Sequence, residues 1–322
     1  MNIIINKSQK GNYNTNLYNL LNNVPENVLY NKEHRLRPPL GIYSVSTARV
    51  FNAFENVLAL LKNKDSKIDE IATEHGELLD SLMAYIDDGY LMIKCFFPAS
   101  SVKKNIPFAH SWLKAVDNNI KKIIEDYQKD LFVYRDILAK IVNKIKHNHA
   151  RYCHIEASTI SGKIRGFYIE GVNEKGVIIP ELEIHPKHNN LYTSISYNKD
   201  IKERIVDFYI ISKLLENVIY RIMKTKYNIT LTPTMCSYNH DDKVLKILED
   251  CESLPNVYFP DEYDKEIPQI KIDSNSNVIE LRSSAYKSFK KKLVKPPSYK
   301  IRTMMTADGV SNSWALPYFG KE

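Results

Sequence analysis

Nowhere in this chain do eighteen apolar residues run together. A helix needs about twenty such residues to cross a bilayer core. The most apolar stretch, Tyr90 to Phe97, is interrupted by Lys94. A membrane span is therefore not expected. The N-terminal MNIIINKSQKGNYN holds an apolar run far shorter than the core of an export signal. Glycine is scarce, 10 residues in 322, which argues against a fold of many hairpins. No two of the cysteines Cys95, Cys153, Cys236 and Cys251 form a CxxC pair, so a structural zinc site of the usual spacing is not supported. Scattered thiols without an export signal fit buried cysteines in a reducing compartment, and the expected location is the cytoplasm.

Charge is unevenly placed. The chain carries a net +7, yet the segment from Arg282 to Arg302 alone holds eight Lys and Arg with no acid among them. The rest of the chain is close to neutral. A local cluster of this kind focuses potential on a polyanion, which a diffuse excess does not. Within it Tyr286, Phe289 and Tyr299 alternate with the cations. Aromatic side chains stack on bases while cations hold phosphates. Lys290, Lys291, Lys292, Lys295, Lys300 and Arg302 are the candidate nucleic-acid contacts, with loop or helix geometry expected for the three consecutive lysines. A solvated linker is the plain alternative.

The hydrophobic pattern predicts an α+β fold: mainly long α-helices, a small antiparallel β-meander and a C-terminal extension. Three stretches are expected: an N-terminal arm (1–45), a helical body (46–226) with a meander at about 151–186, and a C-terminal module (227–322) with a hairpin and the basic tail. One helix starts near Ser46. A second starts at Ser66, with Asp69 in capping-box position and Pro98 beyond its end. A third runs from Ser111 on the stripe Leu113, Val116, Ile120, Ile123, Tyr127, Leu131, Tyr134, Leu138, Ile141 and Ile145, either unbroken or kinked near Gln128. CHIEASTI, KIRGFYIEGV and GVIIPELEIHP read as the meander, its glycines as turn residues, and Glu181 and Glu183 as the wet face of a strand. Ser196 or Asn198 caps a further strong helix on the stripe Ile201, Ile205, Phe208, Ile211, Leu215, Val218 and Ile222. QIKID and VIEL form a hairpin. Trp314, Leu316, Tyr318 and Phe319 fold back onto the body.

The densest polar cluster is NKIKHNHARYCHIE, where three of the nine histidines fall between His147 and His154. Cations at the end of a helix are favoured by its dipole, and that alone accounts for part of the cluster. Metal binding is disfavoured: His147 and His149 are two apart and point to different faces of a helix. His185 and His188 are separated by Pro186, which breaks the helix their spacing would need. No glycine-rich phosphate loop and no GxSxG elbow is present. The remaining reading is phosphate chemistry, with a neutral His as acid or base and a neighbouring cation stabilising developing charge. Lys144 and His149, with His147, Asn148 and Arg151 beside them, are the candidate residues. On these residues, and on the long amphipathic helices over 46–150, the chain resembles the HEPN superfamily of helical ribonucleases and RNA-binding domains. The family carries Arg followed by a polar residue where this chain has Lys144 followed by Ile145.

The resemblance implies an RNA-directed intracellular protein: a metal-independent ribonuclease of a stress or antiviral defence system, without cofactor, acting as a homodimer. A second class stands beside it, a non-enzymatic assembly subunit whose basic tail recruits an acidic partner.

Overall fold

In a computed structural model the chain is described over residues 2–6, 15–147, 150–159, 162–231, 241–265, 267–273, 278–282, 300–303 and 314–318. The fold is α+β, as its periodicities predict. The helices are α1 (Asn16–Asn22), α2 (Pro39–Lys62), α3 (Ile68–Lys94), α4 (Ala109–Lys114), α5 (Asn118–His147), α6 (Tyr197–Tyr227) and α7 (Asp241–Ser253). The strands are β1 (Asn2–Asn6), β2 (Tyr152–Thr159), β3 (Gly162–Val172), β4 (Ile178–Pro180), β5 (Ile195–Ser196), β6 (Gln269–Asp273), β7 (Val278–Arg282) and β8 (Lys300–Thr303).

The centre is α6. Ile201, Ile205, Phe208, Ile211, Leu215 and Ile222 bury its predicted stripe, but Tyr209, Ile210 and Ile219 on other faces are buried as well. A helix covered all round belongs inside a molecule. Phe208 meets Phe51 of α2 edge-on, with centroids 5.2 Å apart. Each fully buried side chain of this size contributes about 1.5–3 kcal/mol. Gly89 of α3 lets Leu215 approach to within 3.3 Å of where a Cβ would stand.

Two helix starts differ from the sequence reading. The first long helix begins at Pro39, not near Ser46, because proline fits the first helical position, where no backbone donor is needed. The second begins at Ile68 after Lys67, with no side-chain cap, so the Ser66–Asp69 capping box does not form. The break in the third lies at 115–117 instead of Gln128. There the Ile120 N–H donates to Asp117 Oδ1 at 2.9 Å and starts a new helix, while the apolar phase continues across the gap.

The meander is present as β2–β3–β4, antiparallel, and two strands widen it: β8 adds to the free edge of β2, and β5 pairs with β3. The hairpin β6–β7 also forms and takes β1 as its third strand, Ile3 opposite Leu281. Among the described glycines, Gly162, at the start of β3, and Gly176 take positive φ, 121° and 75°. Gly166 lies inside β3, where a Cβ would stand 2.2 Å from the Ile195 carbonyl oxygen and 2.6 Å from the Phe259 ring. Glu181 and Glu183 do not sit on a strand: the Ile184 and His185 N–H groups both close back on the Glu181 carbonyl in a turn. Near the C-terminus, Ala315 N–H donates to the Ile178 carbonyl, and Tyr318 stacks on Phe259 with its hydroxyl 2.6 Å from Asp261. Trp314 and Tyr318 thus return to the body; Phe319 lies outside the described residues.

Candidate functional site: a histidine and arginine cleft

The histidine-rich end of α5 divides between two environments. Lys144 is held by Glu181, Nζ to Oε2 2.7 Å, at the foot of the sheet. His147 instead lines an open cleft of about 650 Å³. Arg151 sits part-buried at the entry to β2, its carbonyl accepting from the Glu170 N–H at 3.0 Å. Asn148 and His149 lie outside the described residues. So do Lys290, Lys291, Lys292 and Lys295. Lys300 and Arg302 belong to β8, their backbones opposite Ser158 and Glu156 of β2.

The cleft runs between α3 and α5 and is closed at one end by residues 107–110. Gln128, Phe132, Arg135, Asn143 and His147 line it from α5. Their spacings of three, four and eight put them on one side of the helix, away from the buried stripe. Asp87 and Tyr90 line it from α3, and His110 stands at the start of α4. Two aromatic rings flank it in the open. Phe108 is 66% exposed and Phe132 61%, unusual for residues that ordinarily seek the interior. His110 stacks on Phe108, centroids 5.8 Å apart, and tilts against Tyr90 at 5.7 Å.

Electrostatics give these groups distinct roles. Burial lowers the pKa of His110, and the nearby Lys114 and Arg135 lower it further, with Asp87 opposing them. The ring is therefore neutral at pH 7 and competent to accept a proton. Burial raises the pKa of Asp87 while Arg135 pulls it down. Arg135 adds a guanidinium with several donors. The cleft thus gathers a neutral imidazole, a second imidazole, a guanidinium and two stacking surfaces.

Sequence reasoning singled out His147 but missed His110, Arg135, Phe108 and Phe132. The signal available for the α5 residues was a polar stripe opposite the apolar one. His110, brought in from another helix, left none. The second histidine pair also resolves. His185 is buried and its Nε2 accepts the Ile169 N–H at 2.9 Å, so that nitrogen is engaged within the chain. Among the described residues no three His, Cys, Asp or Glu side chains group as a metal site. No helix of the described residues is long and apolar enough to cross a membrane. No protein-family model, curated protein or solved structure matches the chain.

Proposed function

We propose that the protein is an RNA-directed ribonuclease whose working site is the cleft between α3 and α5. The observation that carries this reading is the convergence of His110, His147 and Arg135 on one open groove flanked by exposed phenylalanines. The reaction is transesterification within a single strand. Neutral His110 takes the proton of a ribose 2′-hydroxyl, whose oxygen forms a bond to the adjacent phosphorus. His147 in its protonated form donates to the departing 5′-oxygen as the P–O bond breaks. Arg135 stabilises the negative charge that grows on the non-bridging oxygens. The products are a 2′,3′-cyclic phosphate and a 5′-hydroxyl, and the two histidines end with their protonation states exchanged. Phe108 and Phe132 supply stacking faces for the flanking bases, which favours single strands over duplex. The chemistry uses only protein groups and needs no metal ion.

This assignment moves the site relative to the HEPN-like pairing of Lys144 with His149. Lys144 is occupied by Glu181, and its charge is better placed to fix the sheet against α5 than to meet phosphate. The basic segment 282–302 remains a candidate for RNA contact on its charge alone. The deciding experiment incubates the purified chain with a labelled single-stranded RNA in excess chelator and separates the products. Cleavage leaving a cyclic phosphate supports the assignment. Intact RNA, or cleavage that the chelator abolishes, contradicts it.

The exposure of Phe108 and Phe132 also favours a second reading, an assembly subunit that docks through this face. It predicts that replacing Phe132 with Ser changes the oligomeric state while replacing His147 with Gln changes nothing.

A further inference from the structure

A second cavity, separate from the cleft, lies beside the first turns of α6. Its volume is about 310 Å³. The charged side chains Lys199, Asp200, Glu203, Arg204 and Asp207 line it from one face of that helix, at spacings of one, four, five and eight that follow the helical repeat. Val133, Tyr134 and Ile137 of α5 form the facing wall, which is mainly apolar. Lys199, Asp200, Arg204 and Asp207 are all more than nine-tenths buried. Burying charge costs several kcal/mol per ion unless each is paired, so the pairing is informative.

The cations of this wall are already committed. Arg204 donates to both oxygens of Asp200, at 2.9 and 3.4 Å. Lys199 pairs with Glu203 at 3.5 Å. Lys265, at the rim, pairs with Asp261 at 3.8 Å. Asp207 receives the far side of Arg204 on one oxygen, Nη1 to Oδ2 3.4 Å, a longer contact than the one Asp200 receives. Glu262 adds a further carboxyl, oriented by the Ser196 and Phe259 N–H groups. The cavity therefore has a carboxyl to spare and an apolar wall opposite it.

We propose that this cavity is a binding site for a small organic cation, a primary amine or guanidinium on a short apolar body. The charged head sits against Asp207 and the carbon chain lies along Val133 and Ile137. A bare metal ion would leave the apolar wall unused, and an anion would meet the surplus carboxyl. Binding is linked to protons. Burial holds the Asp207 carboxyl well above its ordinary range, with Arg204 opposing. Burial likewise lifts Glu262 to about 7, with Lys199 opposing. The charged and titratable groups around Asp207 are Lys199, Asp200, Glu203 and Arg204 from its own helix, Glu183, Glu262 and Lys265 from the loops, and the Tyr134 hydroxyl from α5. An arriving cation expels a proton from this set, so affinity rises with pH.

The test is calorimetric titration of the full chain with agmatine and with n-butylamine at pH 6.5 and pH 8, in two buffers of different ionisation enthalpy. Butyrate and inorganic phosphate serve as controls. The expected result is amine binding that tightens toward pH 8, by up to about tenfold per pH unit for one proton released. Asp207→Asn should weaken it at least about tenfold, the scale of one lost charge pair. Ile137→Trp, which fills the cavity and leaves every charge in place, should abolish it whether or not the Asp207 variant folds. Absence of amine binding, amine binding unchanged in Ile137→Trp, or preferential binding of butyrate or phosphate would overturn the proposal. RNA cleavage is not among the readouts, so the outcome is independent of the ribonuclease assignment.

Discussion

His75 of α3 and Asp200 of α6 meet at the centre of the molecule, Nε2 to Oδ2 2.8 Å, both without solvent exposure. The carboxylate accepts, so Nε2 carries the proton and Nδ1 accepts from the Tyr152 hydroxyl at 2.7 Å. One hydrogen-bonded chain thus ties α3, α6 and β2 together beneath the cavity. Burial alone would raise the Asp200 pKa, but Arg204 and His75 outweigh it and hold it below the ordinary carboxylate range. A depressed carboxyl contributes stability above its unfolded pKa, about 4, and loses it as pH falls below that. Asp200→Asn removes the closer carboxylate from the buried Arg204 guanidinium and leaves it only the 3.4 Å contact to Asp207. The expected loss is about 3–5 kcal/mol, read from urea unfolding at pH 7. An unchanged midpoint would show that the chain of contacts does not stabilise the fold.

His185 predicts a separate, milder acid sensitivity. Burial lowers its pKa to about 3, with Lys265 adding to the shift. The folded protein holds it neutral, while the unfolded chain protonates it near pH 6.5. Stability from this group is complete above pH 6.5 and falls by about 1.4 kcal/mol per unit as pH drops toward 3. His185→Gln keeps an acceptor for the Ile169 N–H and should flatten the unfolding free energy between pH 6 and pH 4.5. That interval lies above the Asp200 window, so the two groups separate in one pH series.

Gly166→Ala should be severely destabilising. A methyl group there would overlap the Ile195 carbonyl oxygen, which is backbone and cannot swing aside. Either β5 leaves β3 or Phe259 leaves its place beneath Tyr318. The expected cost is about 3 kcal/mol or more, the upper end for overpacking. Gly76→Ala, where nothing lies within 4 Å of the added carbon, is the control and should be neutral or slightly stabilising.

What was legible in the sequence was what is local. The stripes of α5 and α6 and the β6–β7 hairpin follow from periodicity within a single element, and the structure has them where the pattern does. The start of α5 was also written locally, in Asp117, but an apolar phase running on through Val116 concealed it. Pairings over long distance left no such mark. Nothing in Ile3 announces Leu281, and nothing in the basic tail announces that Lys300 and Arg302 extend the edge of β2. The cleft shows the same division. His147 stands out in a cluster of histidines, whereas His110 becomes its neighbour only when α4 folds across the groove.

Lys144 provides a discriminating variant. Its pair with Glu181 is part-buried and joins α5 to the turn after β4. Lys144→Ala should cost about 1 kcal/mol or less in thermal unfolding. It should leave RNA cleavage at the wild-type rate. A loss of cleavage at unchanged stability would return the catalytic cation to Lys144 and displace Arg135.

The most direct measurement is the cleavage rate of a single-stranded RNA by wild type, His110→Gln, His147→Gln and Arg135→Gln, each first checked for a native unfolding transition. General acid and general base each contribute about 10²–10⁴-fold. Both histidine variants should fall by at least a hundredfold, with Arg135→Gln comparably impaired and the cyclic phosphate product gone. If wild type leaves RNA intact, or if the His110 and His147 variants cleave at its rate, the cleft between α3 and α5 is not a ribonuclease site.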